Sequence, residues 1–164
     1  MQCDDSARRY QIMLPEGWSD CSAECQFVAG YVQTRPVAIF KSRPGSLPNL
    51  TIQTYDVSRY PSIRGPMDYV RLAHSNKRGT ELRAPVQFSH GGLTGVRWEY
   101  AYNSGFMVVH SVTDYYLDGR TMVIVSSVSL PEQFSQDQQE IIPVLDSFRF
   151  TSNAVSGGAL VSRN

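Results

Sequence analysis

Side chains able to do chemistry are sparse in this 164-residue sequence. Its histidines are His74, His90 and His110. A histidine beside a carboxylate is a minimal acid–base pair, because imidazole changes charge near neutral pH. Glu99 and Asp114 are the carboxylates that a hairpin would bring face to face. One expectation is therefore a hydrolase using His90 or His110 with Glu99 or Asp114. The competing reading makes His110 a half-buried sheet histidine and Glu99 a solvated group or a partner for Arg97. His90-Gly91-Gly92 looks like an esterase oxyanion loop, but that chemistry also needs a Gly-x-Ser-x-Gly elbow, and the sequence has none. No phosphate-binding loop is present.

Three cysteines cannot all pair within one chain. Cys21-Ser22-Ala23-Glu24-Cys25 has a wider spacing than a redox or zinc-knuckle motif. Two readings stay open: a pair of loop thiols, or a small Cys21–Cys25 disulfide requiring an oxidising compartment. Zinc on Cys21, Cys25 and one histidine would need a distant fourth ligand. No metal and no cofactor is expected. Cys3 suits the lipidated cysteine of a bacterial lipoprotein, although Gln2 is not the small residue a lipobox places before it. Asn49-Leu50-Thr51 matches a glycosylation sequon, which matters only in a eukaryotic secretory setting.

Binding is better served than catalysis. The chain has nine tyrosines, and only Lys41 and Lys77 are lysines among its fifteen basic residues. Tyr and Arg anchor protein interfaces, because each joins large contact area to a directional polar group. The candidate contacts are Arg97, Tyr100, Tyr102, Tyr115 and Tyr116, presented on the open face of a sheet. The alternative is that the tyrosines pack under helices.

Those residues sit in one organising stretch, Gly91 to Leu130. Val96, Trp98, Tyr100 and Tyr102 alternate with Arg97, Glu99, Ala101 and Asn103, which predicts a strand with one apolar and one mostly polar face. Asn103-Ser104-Gly105 predicts a turn, Phe106 to Leu117 a second strand, and Thr121 to Leu130 a third. Asp118-Gly119 is the strongest hairpin signal, because both residues tolerate the positive φ of a type I′ turn.

Upstream, Tyr10, Ile12 and Leu14 alternate as a short strand that ends in Pro15-Glu16-Gly17-Trp18. Gln26 to Phe40 predicts one or two strands, and Leu50 to Val57 another. Pro66 opens a helix carrying Met67, Val70 and His74 on one stripe, with Gly79 as its cap. A strand around Val86 and Phe88 leads into the meander. Phe134, Gln138, Ile141, Leu145 and Phe148 recur at helical spacing, with a Ser135/Gln138 capping box and a kink at Pro143. Ser147 to Phe150 closes the fold as a short strand or packed extension.

The whole reads as one domain, 10–150, between an N-terminal segment, 1–9, and a flexible tail, 151–164. Fifteen basic and fifteen acidic residues cancel, which removes the electrostatic footprint of a nucleic-acid partner. No apolar run is long enough to span a membrane. The start is too polar for a signal peptide, so either the protein is cytoplasmic or a signal has been removed. Oligomeric state is open.

The Leu14-Pro15-Glu16-Gly17-Trp18 entry and the Leu145-Asp146-Ser147-Phe148-Arg149-Phe150 exit, at the two ends of this element order, resemble the PsbP-like and DcrB-like proteins. The resemblance covers Tyr10 to Phe150. It implies an α+β fold, a three-layer α/β/α sandwich on a central antiparallel sheet. It also implies a non-catalytic accessory or assembly factor. PsbP-like members serve photosystem II in the thylakoid lumen, DcrB-like members are envelope lipoproteins, and related domains chaperone secreted effectors. A protein partner and an extracytoplasmic location, possibly with a lipid anchor, follow as expectations. An immunity-like protein that blocks a toxin would use the same binding chemistry.

Overall fold

The computed structural model describes residues 2–5, 10–22, 38–41, 47–76, 79–90, 92–105 and 107–151. In chain order the elements are β1 (Gln2–Asp5), β2 (Tyr10–Met13), β3 (Ser19–Asp20), β4 (Ala38–Lys41), β5 (Asn49–Asp56), α1 (Pro66–Asn76), β6 (Gly79–His90), β7 (Leu93–Ser104), β8 (Met107–Asp118), β9 (Thr121–Ser129), α2 (Phe134–Asp146) and β10 (Arg149–Phe150). Among the described residues, seven strands form one antiparallel sheet in the order β3-β4-β5-β9-β8-β7-β6, and β1-β2-β10 form a second, smaller one.

Alternation along the strands loads both faces of the large sheet. Leu50, Ile52, Val112, Tyr116, Val123 and Val125 join Ile141, Val144 and Leu145 of α2 and Tyr10 and Ile12 of β2 in one core. Val96, Trp98, Tyr115, Met122 and Ile124 join Val70 of α1, Val57 and Ile63 in a second core on the opposite face. The result is the three-layer α/β/α arrangement the resemblance implies. Burying each such side chain contributes about 1.5–3 kcal/mol, so both faces stabilise the domain. Trp18 lies at the edge of the first core, and its indole N–H donates to Glu140 Oε1 on α2 at 3.1 Å.

The meander forms as read, with small shifts. The third hairpin closes at Asp118↔Thr121, so its loop is Gly119-Arg120 rather than Asp118-Gly119. Gly119, at φ 60°, takes the left-handed conformation. Arg120 then projects from the tip and donates to the carbonyls of Val57 (3.0 Å) and Ile63 (3.3 Å), tying the loop before α1 to the sheet.

Four other expectations change. Gly79 is not the cap of α1 but the first residue of β6, opposite Tyr102; a Cβ there would lie 2.5 Å from the Ala101 carbonyl oxygen. Close backbone approach, not a helix stop, requires the glycine. The Ser135/Gln138 capping box does not form: α2 starts at Phe134 after Gln133, with no side-chain cap, so Ser135 is already inside the helix. Residues 2–5, expected outside the domain, form β1 and pair with β2, whose other edge takes β10. A strand edge left bare would strand its backbone donors and acceptors. Finally, the "polar" face of β7 is not a solvent face, because Glu99 and Ala101 are buried there.

Candidate functional site

Where β6 runs antiparallel to β7, Gly79 lies opposite Tyr102 and Glu81 opposite Tyr100. Parity puts Glu81 with Trp98, Tyr100 and Tyr102 on the α1 face. His74 follows Val70 by one helical turn, so it too points at the sheet. Together with Thr80 these residues line a cleft of about 220 Å³ at the open edge of the sheet.

The wall of the cleft is an aromatic ladder. Trp98 and Tyr100 have ring centroids 4.7 Å apart, Tyr100 and Tyr102 5.6 Å apart, and His74 lies 5.2 Å from Trp98. Glu81 is its carboxylate. The Trp98 indole N–H donates to Glu81 Oε2 at 3.2 Å, and His74 Nε2 lies 3.4 Å from the same oxygen. Burial, and then the nearby Tyr100 hydroxyl, pushes the Tyr102 phenol up to about 12. Behind the ladder, Thr113 hydrogen-bonds Ser126 (2.8 Å) and Ser111 (3.0 Å), which holds the floor rigid. This arrangement presents ring faces and one carboxylate acceptor to the cleft.

The opposite face of the same strands is built differently. Arg97 donates through Nε and Nη2 to the two oxygens of Asp114, both at 2.7 Å, and through Nη2 to Asp146 at 2.9 Å. Tyr116 donates to Asp114 at 3.2 Å, and the Arg97 guanidinium lies 5.3 Å from the Phe88 ring centre. Burial pushes the Asp114 carboxyl up, against the opposing pull of the Arg97 hydrogen bonds. The same bonds hold the Arg97 guanidinium protonated despite its own desolvation.

The five candidate contacts therefore separate. Arg97 and Tyr116 are on the α2 face, and Tyr100, Tyr102 and Tyr115 on the α1 face, so they cannot form one surface. Tyr115 and Tyr116 are each only 2% exposed, which removes both as partner contacts. Arg97 is engaged within the fold. Tyr100 and Tyr102 remain half-buried at the cleft, joined by Glu81 and His74, which sequence reading missed as site residues. The His74 signal was its spacing from Val70. Glu81 was hidden because β6 shifts register between Glu81 and Arg83 and again before Val86, so parity cannot be counted along the strand.

The proposed acid–base pairs meet different fates. Asp114 is fully buried and bound to Arg97, and Glu99 pairs with Arg83 at 3.2 Å. Glu99 is opposite Val112 rather than Asp114. His110 packs edge-on against Phe134, 5.2 Å between centroids. His90 ends β6 opposite Leu93 and lines a cavity of about 320 Å³ together with Arg83, Glu99, Arg97 and Asp146. Cys3 lies opposite Ile12 in β1. Cys21 is half-buried just after β3, and Cys25 lies outside the described residues. Asn49 of the sequon opens β5, paired with Val128. Among the described residues no cluster of His, Cys, Asp or Glu could hold a metal ion, and no helix is long and apolar enough to cross a membrane.

No protein-family model matches the sequence, and no curated protein matches it significantly. Solved structures do match in three dimensions. Cyanobacterial PsbP (CyanoP) from Synechocystis sp. PCC 6803 superposes with a TM-score of 0.62 at 14% identity, over 92% of this chain and 91% of that one. The chain has the PsbP-like fold. LpqN, involved in cell envelope biogenesis of Mycobacterium tuberculosis, superposes with a TM-score of 0.56 at 9% identity, over 87% and 83% of the two chains. Coverage of nearly the whole PsbP-like domain bears out the resemblance carried by the LPEGW entry and the LDSFRF exit. At these identities what is shared is the fold, not the site.

Proposed function

We propose that this chain is a non-catalytic protein-binding module, an accessory or assembly factor of an extracytoplasmic complex, and that the cleft between α1, β6 and β7 is its recognition surface. The observation that carries the reading is the Trp98-Tyr100-Tyr102 ladder, open at the sheet edge and closed at one end by Glu81 and His74. Half-buried Tyr faces around a preformed concavity are what an interface anchor fits into. The PsbP-like fold and the envelope role of LpqN support the accessory assignment and the location. Affinity capture from the source cell tests it, with the full chain and its Tyr102→Ala variant as parallel baits. The expected result is one protein held in near-stoichiometric amount by the first bait and lost from the second. Equal recovery on both baits would refute the cleft as the docking site.

A further inference from the structure

We infer that the cleft takes a single cationic side chain, a lysine or arginine carried on an exposed segment of the partner; this rests on the cleft being the docking site. Glu81 is the one carboxylate among the described lining residues. Both of its contacts fall on Oε2, so Oε1 has no partner among the described residues. A neutral apolar occupant would cover that oxygen without satisfying it, which is unfavourable. An anion would be repelled by it. A cation would satisfy it and would also meet the negative face of the Tyr102 ring, which lines the same cleft; ring faces attract cations within about 6 Å.

The backbone keeps the nearest described cation of β6 out of the cleft. In a regular strand Arg83 would share a face with Glu81. The register shift between them places Glu81 opposite Tyr100 but Arg83 opposite Glu99, so Arg83 reaches the other face and pairs with Glu99 at 3.2 Å. A bulge that re-aims one side chain beside a cleft is a recurrent device. Here it leaves an acidic, aromatic cleft. At about 220 Å³ the space is below the range of about 300–1,000 Å³ typical of sites for drug-sized molecules, and suits one long side chain.

The test is a titration of the full chain, followed by NMR at the Trp98 indole N–H and the Gly79 and Thr80 amides. The probes are Nα-acetyl-arginine amide and its uncharged isostere, Nα-acetyl-citrulline amide. Saturable shifts are expected with the arginine probe, about tenfold weaker affinity with citrulline, and a loss of about tenfold or more in Glu81→Gln. Equal binding of the two probes, or unchanged affinity in Glu81→Gln, overturns the inference. So does silence at all three signals. A Lys77→Gln, Arg78→Gln chain is titrated in parallel, because those residues directly precede Gly79. If only that chain binds arginine, the cleft's cation is the chain's own and the partner assignment fails. Partner capture separates the two levels. Loss in Tyr102→Ala without loss in Glu81→Gln rejects the cation and keeps the docking site. Undiminished capture in both rejects the docking site itself.

Discussion

Arg97 and Trp98 are neighbours in sequence and belong to two different economies of the same strand. On the α2 face, Arg97 is enclosed by Asp114, Asp146, Tyr116 and Phe88, and its charge is paired with both carboxylates within the fold. On the α1 face, Trp98 holds a carboxylate with one oxygen unengaged among the described residues and begins a ladder that continues through Tyr100 to Tyr102. A polar group that is fully paired at depth specifies and rigidifies a core. A polar group half-paired at an edge is available to something else. Arg97 and Tyr102 therefore answer to different constraints, although composition alone would group both as interface residues.

This contrast makes graded predictions. The largest effect is expected from Asp114→Asn, which leaves Arg97 short of its buried counter-charge and should destabilise by about 3–5 kcal/mol. Urea unfolding measures it, and a loss below about 1 kcal/mol would show that the cluster is not structural. Next is Ile52→Ala under α2, with a cavity cost of about 2–5 kcal/mol in the same assay. Gly79→Ala should cost about 1–3 kcal/mol, because the new Cβ must push β6 away from the Ala101 carbonyl; a neutral result would mean that the edge yields freely.

Alkaline titration should show Tyr69 and Tyr102 ionising near pH 12, both held up chiefly by burial. An unfolded tyrosine ionises near pH 10. Between those values the unfolded chain binds fewer protons, so stability that is intact below about pH 10 falls as the pH rises towards 12. Phenolate absorbance beside circular dichroism reads both events; Tyr102 ionising near pH 10 in the folded chain would mean that the cleft is already wet. The smallest stability effect belongs to Glu81→Gln, within about 0.5 kcal/mol, as for a surface position. A large loss there would make Glu81 a structural residue and erase the difference between the faces.

Much of the fold was legible because strand alternation and turn chemistry are local. Tyr10, Ile12 and Leu14 are all buried as their spacing predicts, and Pro66 opens α1 where a missing N–H is harmless. The Gly119 hairpin was misplaced by one residue, since a dipeptide signal does not say which of its residues remains in the ladder. The candidate site was half legible. Tyr100 and Tyr102 were named, but Tyr115 and Tyr116 were grouped with them as if one surface could hold neighbours that point to opposite faces.

Sequence alone determined the period of each strand, the stripe of each helix and the entry and exit motifs, because these follow from side-chain direction along a single element. Tertiary structure decided the rest. Packing of α2 on β8 and β9 left Asp114, a candidate acid–base group, buried beneath Arg97, and engaged Arg97, a candidate contact, through Asp114 and Asp146. The bulge in β6, set by its pairing with β7, sent Arg83 to one face and left Glu81 on the other. Register between strands is a property of two segments at once, and no periodicity within either of them contains it.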